Sequence, residues 1–272
     1  MKKELKKIFK RELFPYLKLK DKNLSTGKKL YIYSNIVAQI FVIVWVCLYL
    51  ILPYVANQKY NYQGVTFYLH DSSAEPQKAQ SYFDNVHVFM KKNSIYENKE
   101  EIEIHLLNDK LIYALLNPIE WLPGRQTFGI TLGSKVFVRD ADIAQNKSYA
   151  SNDTAENLDA ILVHEATHAM QHEKYGLFYT ALKTPYWVRE GYPIYSARAL
   201  SKYKEKPIIE YMIKTKDVNI KAWNVFVQDQ FYGLMVKHAI EKMHKSVDAL
   251  HLGEVNYDEV LDSLLREYNI TK

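Results

Sequence analysis

The longest apolar stretch of the chain lies near its N-terminus. Residues 36–55 read IVAQIFVIVWVCLYLILPYV, carry no charge and include Gln39 as their one clearly polar side chain. A helix of about 20 apolar residues matches the roughly 30 Å hydrocarbon core of a bilayer. The pattern therefore predicts a transmembrane helix at 36–56 rather than a buried core helix. The charged segment before it is too long for the n-region of a usual signal peptide, although cleavage after Val55-Ala56 stays open as an alternative.

Beyond a predicted linker at 57–64, the pattern of apolar and polar positions divides the rest of the chain into two halves. Alternating and β-branched segments predict strands at 65–70, 102–107, 126–132 and 135–139. One helix, at 75–92, is predicted between the first two of these strands. Helical spacing then predicts helices at about 155–174, 187–203, 206–214, 222–244 and 256–267. This order indicates an α+β domain over residues 65–272, with a small mixed sheet followed by a mostly helical half.

Positive charge is concentrated before the apolar stretch. Residues 1–29 hold 11 of the 36 Lys and Arg but only three of the 31 Asp and Glu, so they carry about +8 and the remainder about −3. Because Lys and Arg beside a first span are retained in the cytoplasm, the arm 1–35 is predicted inside and the domain outside. The stretch KKELKKIFKRELFPYL also resembles a helix lying on an anionic leaflet, with a solvated tail as the alternative. We expect a membrane partner and no nucleic acid.

Composition adds two further limits. Hydrophobic residues make up 48% and charged residues 25% of the chain, which is typical of a globular protein and excludes a largely disordered one. The single cysteine, Cys47, falls within the predicted span, so no intramolecular disulfide can form. Cysteine usage therefore does not decide between compartments.

One predicted helix carries a candidate metal site. In ILVHEATHAMQHEKYG (residues 161–176), His164 and His168 are four residues apart on one helical face, so both imidazoles can ligate one ion. Glu165 lies about 100° further round the helix, where it can reach a water beside the metal and act as a general base. A catalytic zinc site also needs a third protein ligand.

Two downstream residues are candidates for that third ligand. His172 lies eight residues beyond the first histidine, about 12 Å along the helix and too far away for one ion, so we interpret it as a surface histidine. The metzincin pattern would require glycine and histidine where this chain has Gln171 and Lys174. Glu190 lies 22 residues past the second histidine. That distance leaves room for a loop and an antiparallel return helix, which would bring the carboxylate opposite the histidines.

HEATH followed by WVREGYPIY (residues 187–195) resembles the motifs of the gluzincin zinc metallopeptidases, particularly membrane-associated families with a Trp-x-x-Glu-Gly second motif. The resemblance covers roughly residues 125–245. It implies a zincin-like fold with Glu165 as general base. It also implies that Zn²⁺ is held by His164, His168 and Glu190. Pro193 is a departure from the family pattern, because small residues are commoner there and a proline inside a helix should kink it.

The resemblance also implies a substrate-binding strand and an oxyanion donor. Gluzincin-like domains place an edge strand above the metal, where a peptide substrate adds as a further strand. Either strand of the hairpin QTFGITLGSKVFVRD can fill this role, and Gly129 would let a substrate backbone approach closely; an ordinary structural hairpin is the alternative. The predicted donor to the transition-state oxyanion is Tyr232, with Tyr195 as a second candidate.

These patterns predict a membrane-anchored zinc metallopeptidase that hydrolyses peptide bonds of peptide or protein substrates outside the cytoplasm. The alternative is a catalytically silent, membrane-tethered binding or sensor protein with a zincin fold. The intact Glu165 argues against it, because a purely structural zinc site does not require an acid there. An intramembrane protease is excluded, because residues 155–176 carry Glu156, Asp159, Glu173 and Lys174.

Overall fold

The computed structural model describes residues 25–71, 75–97, 101–117, 120, 127–150, 154–201, 205–215, 223 and 225–270. The chain divides into two units, Met1–Tyr54 and Val55–Lys272. The predicted surface helix in the basic arm lies outside the described residues.

The described part of the first unit is one long helix, α1 (Thr26–Ile51), followed by a short 3₁₀ turn (Leu52–Tyr54). It starts about ten residues before the predicted span, because the intervening residues include no proline that would prevent helix formation. The segment Thr26–Tyr54 is long and apolar enough to cross a membrane, a property that N-terminal signal sequences share. The prediction of an apolar helix long enough to span is thus confirmed.

The second unit is an α+β domain, as predicted. Its strands are β1 (Gln58–Tyr62), β2 (Val65–Leu69), β3 (Ile102–Leu107), β4 (Gly129–Leu132), β5 (Lys135–Arg139), β6 (Ala141–Asp142), β7 (Lys147–Tyr149) and β8 (Ala155–Asn157). Its helices are α2 (Pro76–Met90), α3 (Lys110–Leu116), α4 (Leu158–Tyr175), α5 (Leu177–Leu182), α6 (Tyr186–Ala197), α7 (Glu205–Thr215), α8 (Val225–Glu241), α9 (Val247–His251) and α10 (Tyr257–Glu267).

The larger sheet has five described strands in the order β1-β2-β3-β5-β4. Strands β2 and β5 run parallel to β3, whereas β1 and β4 run antiparallel to their neighbours, so the sheet is mixed as predicted. The predicted hairpin is present, with Gly133 at a φ of +64° in its turn. A second sheet of the described strands β6-β7-β8 is not predicted by the pattern, because strands of two or three residues are too short to show an alternation.

The predicted linker at 57–64 is wrong, because β1 occupies most of it. This strand pairs along the whole of β2, from Gln58 opposite Leu69 to Tyr62 opposite Val65. The Tyr60 ring packs 5.1 Å from the ring of Phe83 on α2. The other residues of β1 are polar and at least partly exposed, which is why the sequence resembles a linker.

One face of the larger sheet packs against α2 and the motif helix α4. The buried core includes Phe67, Ile104, Val136, Phe83, Leu162, Ala166 and Met170. Helix α4 begins three residues later than predicted, because Ala155–Asn157 pair with β7 instead.

Helices α6 and α8 approach each other closely at two glycines. A Cβ on Gly191 would lie 2.5 Å from the backbone oxygen of Tyr232. A Cβ on Gly233 would lie 2.4 Å from Cγ2 of Ile194. Since atoms this close would clash, the helices can pack at this separation only because both positions lack a side chain. This contact brings the N-terminal part of α8 beside the second sequence motif.

Candidate metal centre

Helices α4 and α6 bring three potential metal ligands together. One ligand atom each from His164, His168 and Glu190 lie within 4.8 Å of one another. The two imidazole ring centres are 4.9 Å apart, and Nε2 of His168 lies 3.4 Å from Oε2 of Glu190. Two imidazoles and a carboxylate converging on one point are a donor set that suits zinc with an open coordination position.

Pro193 does not turn Glu190 away from the histidines. Helix α6 runs from Tyr186 to Ala197 with Pro193 in its interior. Glu190 lies three residues before the proline and remains in the ligand group. The second oxygen of Glu190 accepts a hydrogen bond from Nε of Arg189 at 3.1 Å, which fixes the carboxylate from the other side.

The electrostatics of the three side chains favour a positive charge between them. Burial, assisted by the charge of His168, lowers the pKa of His164 to about 3. Burial opposes the charged form of His168 too, but Glu190 and Glu165 outweigh it and raise its pKa to about 9. Burial likewise opposes ionisation of Glu190, yet His168 lowers its pKa to about 2. A metal cation can take the place of the proton on His168.

Glu165 lies between the motif helix and the edge strand. The Thr131 hydroxyl is 2.7 Å from its Oε2 and 3.0 Å from its backbone oxygen. A Cβ on Gly129 would lie 2.6 Å from Cγ of Glu165, so the side chain fits only because residue 129 is glycine. Burial raises the pKa of Glu165, which makes the carboxylate a stronger proton acceptor.

A cavity of about 330 Å³ opens in front of these groups. On one side it is lined by residues 127–129, at the start of the edge strand, and on the other by Asp229 and Gln230 of α8. Asp229 accepts a hydrogen bond from the Tyr186 hydroxyl at 3.3 Å. Burial and the charge of Glu190 raise the pKa of Asp229 to about 7. Asp229 is therefore a further carboxyl group at the cavity, in addition to Glu156, Glu165 and the candidate ligand Glu190.

The two predicted oxyanion donors lie elsewhere. Tyr232 is buried, with 6% of its surface exposed, and its ring packs 5.9 Å from that of Tyr186. Within the described chain it is not part of the cavity lining. The Tyr195 hydroxyl donates to Glu241 at 3.2 Å, and Arg198 lies 3.8 Å over its ring. The structure thus brings neither tyrosine to the cavity, and their role as donors stays a prediction.

His172 is absent from the ligand group among the described residues, in agreement with the distance argument. It is not a free surface residue, however. Its Nδ1 lies 3.1 Å from the backbone oxygen of Gly133 in the β4–β5 turn. The hydrogen bond holds the hairpin against the motif helix.

Sequence reasoning missed three polar residues around the site. Thr131 and Asp229 contact the site from the edge strand and from α8. Gln171 is completely buried one turn beyond the second histidine, 3.0 Å from its Nδ1. Only Gln171 had a signal in the sequence, as a polar side chain three positions after a candidate ligand, where two side chains of a helix can meet.

Comparisons of the chain with family models, with curated proteins and with solved structures give no match. The function is therefore inferred from the side chains themselves. The relevant features are the three converging ligands, the carboxyl group of Glu165 and the cavity that they face.

Proposed function

We propose that this protein is a gluzincin-type zinc metallopeptidase with a zincin-like domain, anchored to a membrane by α1. The proposal is carried by the convergence of His164, His168 and Glu190 within 4.8 Å beside a cavity. Glu165, one residue from the first ligand, supplies the acid that a purely structural zinc site would not need. The agreement of this ligand group with the two sequence motifs supports the resemblance noted above.

The three ligands would hold Zn²⁺ with one coordination position open. When bound, the ion would lower the pKa of a water and polarise the carbonyl of the scissile bond. Glu165 would take a proton from the attacking water as its oxygen bonds to the carbonyl carbon. It would then give that proton to the leaving amine as the carbon–nitrogen bond breaks.

The edge strand offers a binding surface for a peptide. Among the described strands, β4 pairs with β5 only, and its first residue, Gly129, lines the cavity. An extended peptide can add to such an edge through main-chain hydrogen bonds. Thr131, on the same strand, holds the general base, so substrate binding and proton transfer would be aligned by one short element.

We further propose that the domain lies outside the cytoplasm. The apolar helix α1 follows a segment that carries about +8, and such segments remain on the cytoplasmic side. Protease treatment of intact cells or spheroplasts tests this orientation. The domain should be digested while a tag at the N-terminus is protected; protection of the domain would show the opposite orientation.

The reaction is tested by Glu165→Gln in the full chain, purified in detergent and assayed on a mixed peptide library. The variant should lose at least about 100-fold in hydrolysis, the lower end for a general base, and keep near-stoichiometric zinc. Glu173→Gln, at an exposed position of the same helix, is the matched control and should retain activity.

Two results would contradict the proposal. Full hydrolysis by Glu165→Gln would exclude its role as base, and a wild-type protein without bound zinc would exclude the ligand assignment. Bound zinc with no cleavage of any peptide would instead favour a catalytically silent zincin that binds a partner.

A further inference from the structure

We propose that Gln171 and His251 are positioning residues that fix the orientation of the ligand His168 through a directed chain of hydrogen bonds. This inference rests on the proposed zinc site and extends it to helix α9. It concerns how the ligand is held before any metal arrives.

Gln171 lies at the centre of the chain of hydrogen bonds. Its Oε1 is 3.0 Å from Nδ1 of His168, and its Nε2 is 2.9 Å from Nε2 of His251 and 3.3 Å from the backbone oxygen of Arg189. Gln171 and His251 are both completely buried. Because water does not reach these groups, the polar atoms depend on one another for hydrogen bonds.

The donor and acceptor of each hydrogen bond follow from the group at the end of the chain of hydrogen bonds, the Val247 carbonyl. Nδ1 of His251 lies 2.8 Å from the Val247 carbonyl, which can only accept, so Nδ1 must carry the hydrogen. In a neutral ring Nε2 is then an acceptor, and the Gln171 amide group must donate to it. Oε1 of Gln171 therefore faces His168 and accepts from its Nδ1. This leaves Nε2 of His168 as the atom directed at Glu190 and the metal position.

His251 is held in the neutral form that this direction requires. Burial lowers its pKa to about 4, and the Val247 carbonyl only partly offsets the effect. The ring stacks 4.5 Å from Tyr175 and meets Tyr192 edge-on at 5.0 Å. Thr184 donates to the backbone oxygen of His251 at 3.2 Å, which ties α9 to the loop before α6.

The second acceptor for Gln171 is the backbone oxygen of Arg189, and Pro193 explains why this oxygen accepts from a side chain. In a regular helix the Arg189 carbonyl would accept from the backbone N–H of residue 193, but proline has none. The Gln171 amide donates to this oxygen instead. The two hydrogens of the amide group are thus donated to Nε2 of His251 and to the Arg189 oxygen, and both of these atoms can only accept. A flipped amide would place Oε1 against the lone pairs of these two acceptors. The proline that departs from the family pattern thereby helps to orient a ligand on the other helix.

The proposal is tested with His251→Phe and His251→Gln in the full chain, by zinc competition with a chromophoric chelator. Phenylalanine retains an aromatic ring for the stack on Tyr175 but removes the acceptor, and we expect affinity to fall about tenfold. Glutamine restores an acceptor and should remain within about threefold of wild type. His238→Phe is the matched control, because His238 is buried and hydrogen-bonded to Ser263 but lies outside this network.

Nuclear magnetic resonance on protein with selectively labelled glutamine provides a readout that does not require metal. In zinc-free wild type, the two side-chain amide hydrogens of Gln171 should exchange slowly with solvent, and His251→Phe should abolish that protection. Unchanged zinc affinity in His251→Phe, or rapid exchange of these hydrogens with solvent in wild type, would overturn the inference. A wild-type protein that binds no zinc but shows protected signals would refute the zinc site while leaving the hydrogen-bond geometry intact.

Discussion

Gly129 and Glu165 are packed so tightly that a single methyl group between them would overlap the candidate general base. A Cβ at residue 129 would lie 2.6 Å from Cγ and 2.9 Å from Cδ of Glu165. The edge strand β4 and the candidate proton acceptor therefore share one contact. The position of the carboxylate depends on the strand as much as on its own helix.

Gly129→Ala should consequently impair catalysis without removing the metal. The added methyl group displaces the Glu165 carboxyl group, and a misplacement of about 1 Å costs on the order of 100-fold in rate. Zinc content should stay near that of wild type, since Glu165 is not a proposed ligand. Steady-state hydrolysis and metal analysis measure the two effects. Ile130→Val, on the opposite face of β4, is the control; wild-type rates in Gly129→Ala would show that the carboxylate tolerates displacement.

Gly191→Ala should destabilise the domain. The new methyl group would meet the backbone oxygen of Tyr232 at 2.5 Å, and a backbone atom cannot rotate away, so α6 and α8 must separate. Overpacking of this kind costs about 1–3 kcal/mol in the free energy of unfolding. Gly233→Ala should cost less, because it meets the side chain of Ile194. Urea denaturation of the two variants gives the comparison, and a larger loss in Gly233→Ala would contradict it.

Tyr232→Phe tests the predicted oxyanion donor. Because the side chain is buried against Tyr186 and, in the described chain, does not line the cavity, we expect kcat to change by less than about tenfold. Loss of a true oxyanion donor costs about 100- to 1,000-fold in kcat. A loss of that size with unchanged zinc content would establish Tyr232 as the donor. Tyr195→Phe serves as the parallel variant for the second candidate.

Stability of the metal-free protein should fall in mild acid because of His251. Its pKa is about 4 when folded, against 6.5 for an unperturbed side chain. Between these values the unfolded chain takes up a proton that the folded protein does not, so the free energy of unfolding decreases as pH falls from 6.5 to 4. For a shift of this size the contribution is on the order of 3 kcal/mol.

Urea unfolding at pH 7.5 and pH 5, with a chelator present, measures this dependence. His251→Phe should show a smaller loss of stability between the two pH values than wild type. Equal losses would mean that His251 does not carry the effect.

The parts of the fold that could be predicted have local causes. β-branched and other apolar residues identify β2 and β3, and helical spacing of apolar residues identifies α2 and places the two histidines on one face of α4. The approach of Glu190 was expected from its distance along the chain and from a motif resemblance, and the structure places it in the ligand group.

The remaining features depend on contacts that no local pattern records. β1 has polar outer residues and is recognisable only through its pairing with β2. The role of His251 requires knowing that it meets Gln171, 80 residues earlier. Asp229 reaches the cavity because two glycines let α6 and α8 approach, and such a contact is not visible in either helix alone.

The hydrogen bond between Gln171 and His251 also has a consequence for how the protein is made. During synthesis the two candidate metal-binding motifs leave the ribosome well before the segment that contains α9. Until α9 has docked, the Gln171 amide lacks its acceptor, Nε2 of His251, and the hydrogen bonds proposed to orient His168 are incomplete. Under the proposed function, high-affinity metal capture, and with it peptide hydrolysis, would therefore be delayed until α9 has been made.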